Sequence, residues 1–194
     1  MKKKIIVIGI DEAGRGPLAG PVAIGAIATK IKNQKSKIKN LECIKDSKKL
    51  SAQQREKWEK ILKKNFECHC VFISHKMIDK IGIQKAVLLG VEKVLEKFSR
   101  KPDLVLLDGS LKAPKIYKQK TIIKGDEKIP LISAASIIAK IMRDKKMMRF
   151  HKKFPKYNFD KHKGYGTKLH YRRIKKHGIS KIHRKSFLKN ILKD

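Results

Sequence analysis

The chain has 194 residues, with 50 Lys and Arg against 17 Asp and Glu, a formal net charge of +33. Hydrophobic residues make up 41% and charged residues 35%, enough for one folded core under a polar surface and too little for two full domains. No stretch approaches the roughly 20 consecutive apolar residues of a membrane span, and the positive charge points to a polyanionic partner, nucleic acid first of all.

The opening run MKKKIIVIGIDEAG begins like a secretion signal, but Asp11 and Glu12 interrupt it at once and no small-residue cleavage site follows. It is predicted instead to form a first, buried strand over residues 4–10, in a protein that stays in the cytoplasm. A second strand, rich in Val, Ile and Ala, is expected over 22–29. The biased run KIKNQKSKIK follows as an exposed loop. Ser51 starts a helix whose apolar stripe is Trp58, Ile61 and Leu62. A third strand is expected over 68–74. Cys68 and Cys70 alternate along it without a second ligand pair, so with Cys43 they read as thiols rather than zinc ligands.

An amphipathic helix follows over 83–98, with Val87, Leu88, Val91, Val94 and Leu95 at helical spacing. Residues 103–107 form a short apolar strand ended by Asp108-Gly109, and 120–124 a fifth strand ended by Gly125-Asp126. A long helix after Pro130 is small and apolar early and basic late, and the chain beyond Pro155 is basic, with short helices and loops. This order predicts an α/β fold with a five-stranded mixed central sheet flanked by helices and a small C-terminal helical region. The first three strands form an antiparallel meander, and the fourth and fifth add in parallel. The expected division is a catalytic domain over 1–154 and an extension over 155–194 packed on it.

Acidic residues are scarce, so their positions carry weight. Asp11-Glu12, Asp108 and Asp126 each follow an apolar strand directly, and strand ends are where α/β sheets build ligand sites. Clustered carboxylates suit hard divalent cations such as Mg²⁺ or Mn²⁺, and two such ions can assist phosphodiester hydrolysis. The plainer alternative is that each acid caps a turn or pairs with a lysine, strongest for the turn-former Asp108-Gly109. Glu127 can replace Asp126 as a ligand, and Asp144 is more ordinary as an ion-pair partner of Lys140 or Arg143. The histidines show no triad or metal-pair spacing.

The string Asp11-Glu12-Ala13-Gly14-Arg15-Gly16-Pro17-Leu18-Ala19-Gly20-Pro21-Val22 is not a phosphate-binding P-loop, since no Gly-Lys-Ser/Thr follows. It resembles the opening signature of the type 2 ribonuclease H family, bacterial ribonuclease HII in particular. Further matches follow in order: Asp46-Ser47-Lys48-Lys49-Leu50-Ser51, Leu107-Asp108-Gly109 and Lys124-Gly125-Asp126. Then come Ala134 to Lys140 with Arg143-Asp144, Tyr157, Lys163-Gly164-Tyr165-Gly166-Thr167, His170, and Gly178 with His183-Arg184-Ser186-Phe187.

The resemblance covers nearly the whole chain and implies a ribonuclease H-like fold. It also implies endonucleolytic cutting of the RNA strand of RNA–DNA hybrids, and cutting 5′ to single ribonucleotides in duplex DNA. The products would carry 5′-phosphate and 3′-hydroxyl ends. It makes Asp11, Glu12, Asp108 and Asp126 the catalytic acids and ligands of Mn²⁺ or Mg²⁺. It gives Gly14, Arg15 and Gly16 the ribose 2′-hydroxyl, Tyr165 the deoxyribose after the junction, and Ser47, Lys48 and Lys49 the phosphates. No docking tail is evident in KSFLKNILKD, so the expectation is a monomer with no obligate protein partner. Two rivals remain at this stage, a non-enzymatic basic nucleic-acid binder and a metal-dependent phosphatase on a similar sheet.

Overall fold

The computed structural model describes residues 4–31, 41, 44 and 50–188. Its centre is a sheet of β1 (Ile5–Ala13), β2 (Val22–Ile31), β3 (Glu67–Ile73), β4 (Leu104–Asp108) and β5 (Gln119–Ile122), in the order β3-β2-β1-β4-β5. β1–β2 and β2–β3 pair antiparallel, while β1–β4 and β4–β5 pair parallel. The predicted meander with parallel additions is therefore the observed topology, and β1, in the middle, is the strand that carries the first acids.

β1 runs further than its apolar residues suggest. Asp11, Glu12 and Ala13 pair with Gly25, Ile24 and Ala23, so the two acids lie within the strand rather than after it. Backbone pairing to β2 outweighs the poor strand propensity of charged residues. At the other end of the sheet, β5 stops at Ile122, and Ile123, expected inside the strand, is 76% exposed.

Helices cover both faces. On one lie α1 (Ala52–Asn65) and the long α5 (Pro130–Lys153), whose Leu131, Ala134, Ala135 and Ile138 pack on Val7, Ile27 and Leu62. On the other lies α3 (Ile83–Leu95), which presses Val87, Val91 and Val94 against Ile8, Ile10 and Ile24. α5 approaches the strands closely enough that a Cβ at Gly25 would stand 2.4 Å from the Ala135 carbonyl oxygen. That closeness brings the α5 side chains onto the strand ends. α1 begins as predicted, with a reciprocal cap in which Ser51 Oγ accepts from the Gln54 amide and Gln54 Oε1 accepts from the Ser51 amide. Of its expected stripe, Leu62 is buried and Ile61 is 40% exposed.

Shorter helices are α2 (His75–Ile81), which the periodicity did not reveal, α4 (Gly125–Lys128) and α6 (Phe159–His162). α7 (Lys168–His177) follows α6. The segment after Phe154 returns to the 14–21 loop, where the Leu18 amide donates to the Gly164 carbonyl and Ala19 bridges to His183. Cys68 and Cys70 are free and half-buried, and burial pushes both thiols up to about 12, so neither is a reactive thiolate. Cys43 lies outside the described residues. Among the described residues no helix is long and apolar enough to cross a membrane.

Candidate active site

Asp11, Glu12, Asp108 and Asp126 line one cleft of about 390 Å³, together with Gly14, Arg55, Ser136, Lys140 and Tyr165. Three elements deliver the acids. β1 carries Asp11 and Glu12, the neighbouring parallel β4 ends on Asp108, and the turn after β5 places Asp126 in the first turn of α4. Lys124 takes a left-handed conformation (φ 54°) to make that turn. Glu127 is exposed and does not line the cleft. Two other clefts, of about 530 and 640 Å³, contain a single acid each, Glu67 and Asp79. Chemistry rather than size singles out the acid cleft.

The carboxylates are tied to their surroundings. Asp11 Oδ1 accepts from the Glu12 amide at 2.7 Å, and Asp108 Oδ1 accepts from the Gly125 and Asp126 amides at 2.6 and 3.2 Å. Ser133 Oγ donates to the Asp126 carbonyl at 2.6 Å, fixing α4 on α5. Glu12 pairs with Arg15 at 3.4 Å. Burial raises the Asp11 carboxyl well above the usual range, and the nearby charges of Glu12 and Asp108 raise it further. Glu12 is also raised, first by burial, with Arg15 opposing.

Hard oxygen donors crowded so that Asp11 is raised by burial and by the charges of Glu12 and Asp108 fit a divalent cation, which relieves both the desolvation and the repulsion. Among the described residues no three His, Cys, Asp or Glu side chains form a closed ligand cluster as placed. Asp108 is turned onto the α4 amides and Glu12 onto Arg15.

The 14–21 loop borders the acids and is held from beneath by two fully buried arginines. Arg143 of α5 donates to the carbonyls of Pro21, Lys163 and Ala19 at 3.0, 3.1 and 3.4 Å. Arg184 donates to Gly20, Arg15 and Gly14 at 2.9, 2.7 and 2.7 Å. Six carbonyls thus converge on two guanidiniums, and Arg15 is left with a part-exposed side chain at the cleft rim. Tyr165, 40% exposed, stands opposite, with Lys140 Nζ and Arg143 Cζ 5.8 and 5.6 Å from its ring centre.

Of the predicted site residues, the structure gathers Asp11, Glu12, Asp108, Asp126, Gly14 and Tyr165 on the cleft, and Arg15 and Gly16 on the adjoining loop. Ser47, Lys48 and Lys49 lie outside the described residues. Ser136 and Lys140 were visible only as motif matches, and Arg55 gave no signal. Asp144 pairs with Lys140 at 3.1 Å, the ordinary role expected of it.

Three histidines dismissed on spacing, His162, His170 and His183, prove to be buried together behind Tyr165. Burial pushes His170 and His183 down to about 4 each. A folded pKa below the unfolded value of about 6.5 means that only the unfolded chain takes these protons between those limits. Stability is therefore full above about pH 6.5 and is lost as the pH falls towards 4. Each imidazole can steepen the loss by at most about 1.4 kcal/mol per pH unit. Urea midpoints should be flat from pH 8 to 7 and fall from pH 6.5 to 5, a fall that the raised carboxyls of Asp11 and Glu12 offset only in part, since their linkage has the opposite sign. A midpoint unchanged across that window would mean that the imidazoles are not held neutral.

A family model described as Ribonuclease HII matches residues 8–190. The chain belongs to the ribonuclease HII family. The ribonuclease HII of Caldicellulosiruptor bescii is 44% identical over 188 residues, covering 96% of this chain and 88% of that protein. Among solved structures, the ribonuclease H2 of Pyrococcus horikoshii OT3 superposes with a TM-score of 0.75 at 27% identity, covering 98% of this chain and 100% of the other. The ribonuclease HII of Archaeoglobus fulgidus, solved in complex with PCNA, gives 0.76 at 25% identity, covering 93% and 94%. The sheet and its helices are thus a ribonuclease H-like fold, and the chain is a metal-dependent endoribonuclease of this family.

Proposed function

We propose that this ribonuclease HII cuts the RNA strand of RNA–DNA hybrids and cuts 5′ to single ribonucleotides in duplex DNA, leaving 5′-phosphate and 3′-hydroxyl ends. The observation that carries the reading is the convergence of four carboxylates with the glycine-rich 14–21 loop on one cleft. Asp11, Glu12, Asp108 and Asp126 would hold Mg²⁺ or Mn²⁺. When bound, a pair of such ions supplies Lewis acidity for water attack and for departure of the 3′ oxygen.

The protein's own groups do the selecting. RNA differs from DNA by its 2′-hydroxyl, which main-chain groups of Gly14, Arg15 and Gly16 can read because two of the three lack a side chain. Tyr165 offers a ring face for the next sugar. Ser47, Lys48 and Lys49 would hold phosphates, where lysines position a strand without reading its bases. Little base specificity follows. The extension over 155–194 works as part of the same unit as 1–154, and the enzyme needs no obligate protein partner, acting as a monomer in the cytoplasm.

The test is a labelled DNA duplex with one ribonucleotide, incubated with Mg²⁺, Mn²⁺ or EDTA beside an all-DNA control. Cutting confined to the 5′ side of the ribonucleotide and lost in EDTA is expected. Products ending in 2′,3′-cyclic phosphate would sink the proposal, because they require the ribose hydroxyl as nucleophile.

A further inference from the structure

Tyr165 is pinned from the side away from the cleft. Its carbonyl oxygen accepts two hydrogen bonds at 2.9 Å, one from the Thr167 amide and one on the line to His170 Nδ1. His170 Nε2 lies 3.0 Å from His183 Nε2, and the Ser180 amide donates to His183 Nδ1 at 2.8 Å.

Proton positions follow from the chemistry of the ends. An amide N–H can only donate, so His183 Nδ1 presents its lone pair and the proton is on Nε2. His183 Nε2 therefore donates to His170 Nε2, which leaves the His170 proton on Nδ1, aimed at the Tyr165 carbonyl. The chain Ser180, His183, His170, Tyr165 runs in one direction only. His162 stacks on His170 with ring centres 4.2 Å apart and is fixed in the same way: its Nδ1 accepts from the Gly164 amide and its Nε2 donates to the Tyr157 carbonyl.

Aliphatic side chains would fill this space without desolvating three imidazoles. What the imidazoles add is direction, a donor held at a single main-chain oxygen. We infer that His170 and His183 are positioning residues, whose directed pair of neutral rings fixes the Tyr165 main chain and so the angle of the phenol ring at the cleft. The inference rests on the proposed reading of the acid cleft as the cutting site.

The experiment compares kcat/KM on a single-ribonucleotide duplex for the wild type, His170→Leu, His170→Asn, Tyr165→Ala and the double variant His170→Leu/Tyr165→Ala. His170→Leu is expected to lower kcat/KM by about 10- to 100-fold, the scale of an ångström-sized misplacement. His170→Asn, whose amide can still donate to the Tyr165 carbonyl, should recover most of that loss. On the Tyr165→Ala background, His170→Leu should change the rate by less than about threefold, because the ring it positions is gone. Fully additive losses would overturn the inference, since a merely structural histidine costs the same with or without Tyr165.

A second measurement needs no variant and no activity. Nitrogen-15 NMR of the wild-type imidazoles at pH 7.5 should show opposite tautomers, Nδ1–H for His170 and Nε2–H for His183. Matching tautomers would overturn the relay. A wild type that leaves the ribonucleotide uncut would overturn the functional reading, while opposite tautomers would still support the relay.

Discussion

Asp11→Asn is expected to reduce cutting of a ribonucleotide-containing duplex by at least about 10³-fold, about 4 kcal/mol of barrier, while leaving the protein folded. Asp11 is 5% exposed in the middle strand, between the charges of Glu12 and Asp108. Its folded pKa is raised, so as pH climbs through the unfolded value the unfolded chain releases a proton that the native state retains. Stability is lost over that window and stays reduced at neutral pH. Asn removes the charge with little change of shape, and in EDTA the variant should melt at or above the wild-type temperature. Adding Mg²⁺ or Mn²⁺ should reverse the order, because only the wild type gains strongly from binding in the folded state. The measurements are single-turnover cutting and thermal melts with and without metal. A variant that melts well below the wild type in EDTA would show that Asp11 is a structural acid, and retained cutting would remove it from the site.

This opposition between stability and function explains why the acids were legible in the sequence. Seventeen acidic residues in a chain of net charge +33 leave few reasons for a carboxylate to interrupt an apolar strand, and none of the structural reasons applies well to Asp11. The sheet topology was readable in outline, although β2 and β3 pair antiparallel across the long connection that carries α1, and β4 and β5 pair parallel across residues 109–118 without a helix. The supports of the site were not. Arg184 reaches the Gly14 carbonyl across 170 positions of sequence, and Arg143 reaches Pro21 across 122. In an arginine- and lysine-rich chain, a guanidinium destined for burial looks like any other surface cation. The same holds for His162, His170 and His183, whose irregular spacing has meaning only once the segment after Phe154 folds back on the 14–21 loop. Periodicity records one element at a time, whereas these contacts exist only between elements.

Gly14→Ala is the variant on which that buried support can be judged. Gly14 has φ +94°, and a Cβ built there would stand 1.9 Å from Arg143 Nε and 2.5 Å from Arg143 Cδ. An arginine on the surface would swing away, but this one is fully buried and engaged with the carbonyls of Pro21, Lys163 and Ala19. Either the guanidinium abandons acceptors that then lie unsatisfied, at about 1–3 kcal/mol each, or the loop lifts off it. A side chain in the left-handed region adds about 1–2 kcal/mol. A loss of about 3–4 kcal/mol lowers Tm by about 10 °C in a chain of this size, and a loop displaced by an ångström slows cutting by about 10²-fold. Gly16→Ala is the internal control, since a Cβ at Gly16 meets nothing within 4 Å. Its Tm should match the wild type, so any slowing of cutting by it reports the approach of substrate to the main chain rather than damage to the fold. Equal Tm for the two variants would show that Arg143 yields freely, and the picture of a loop clamped from beneath by its guanidinium would have to be given up.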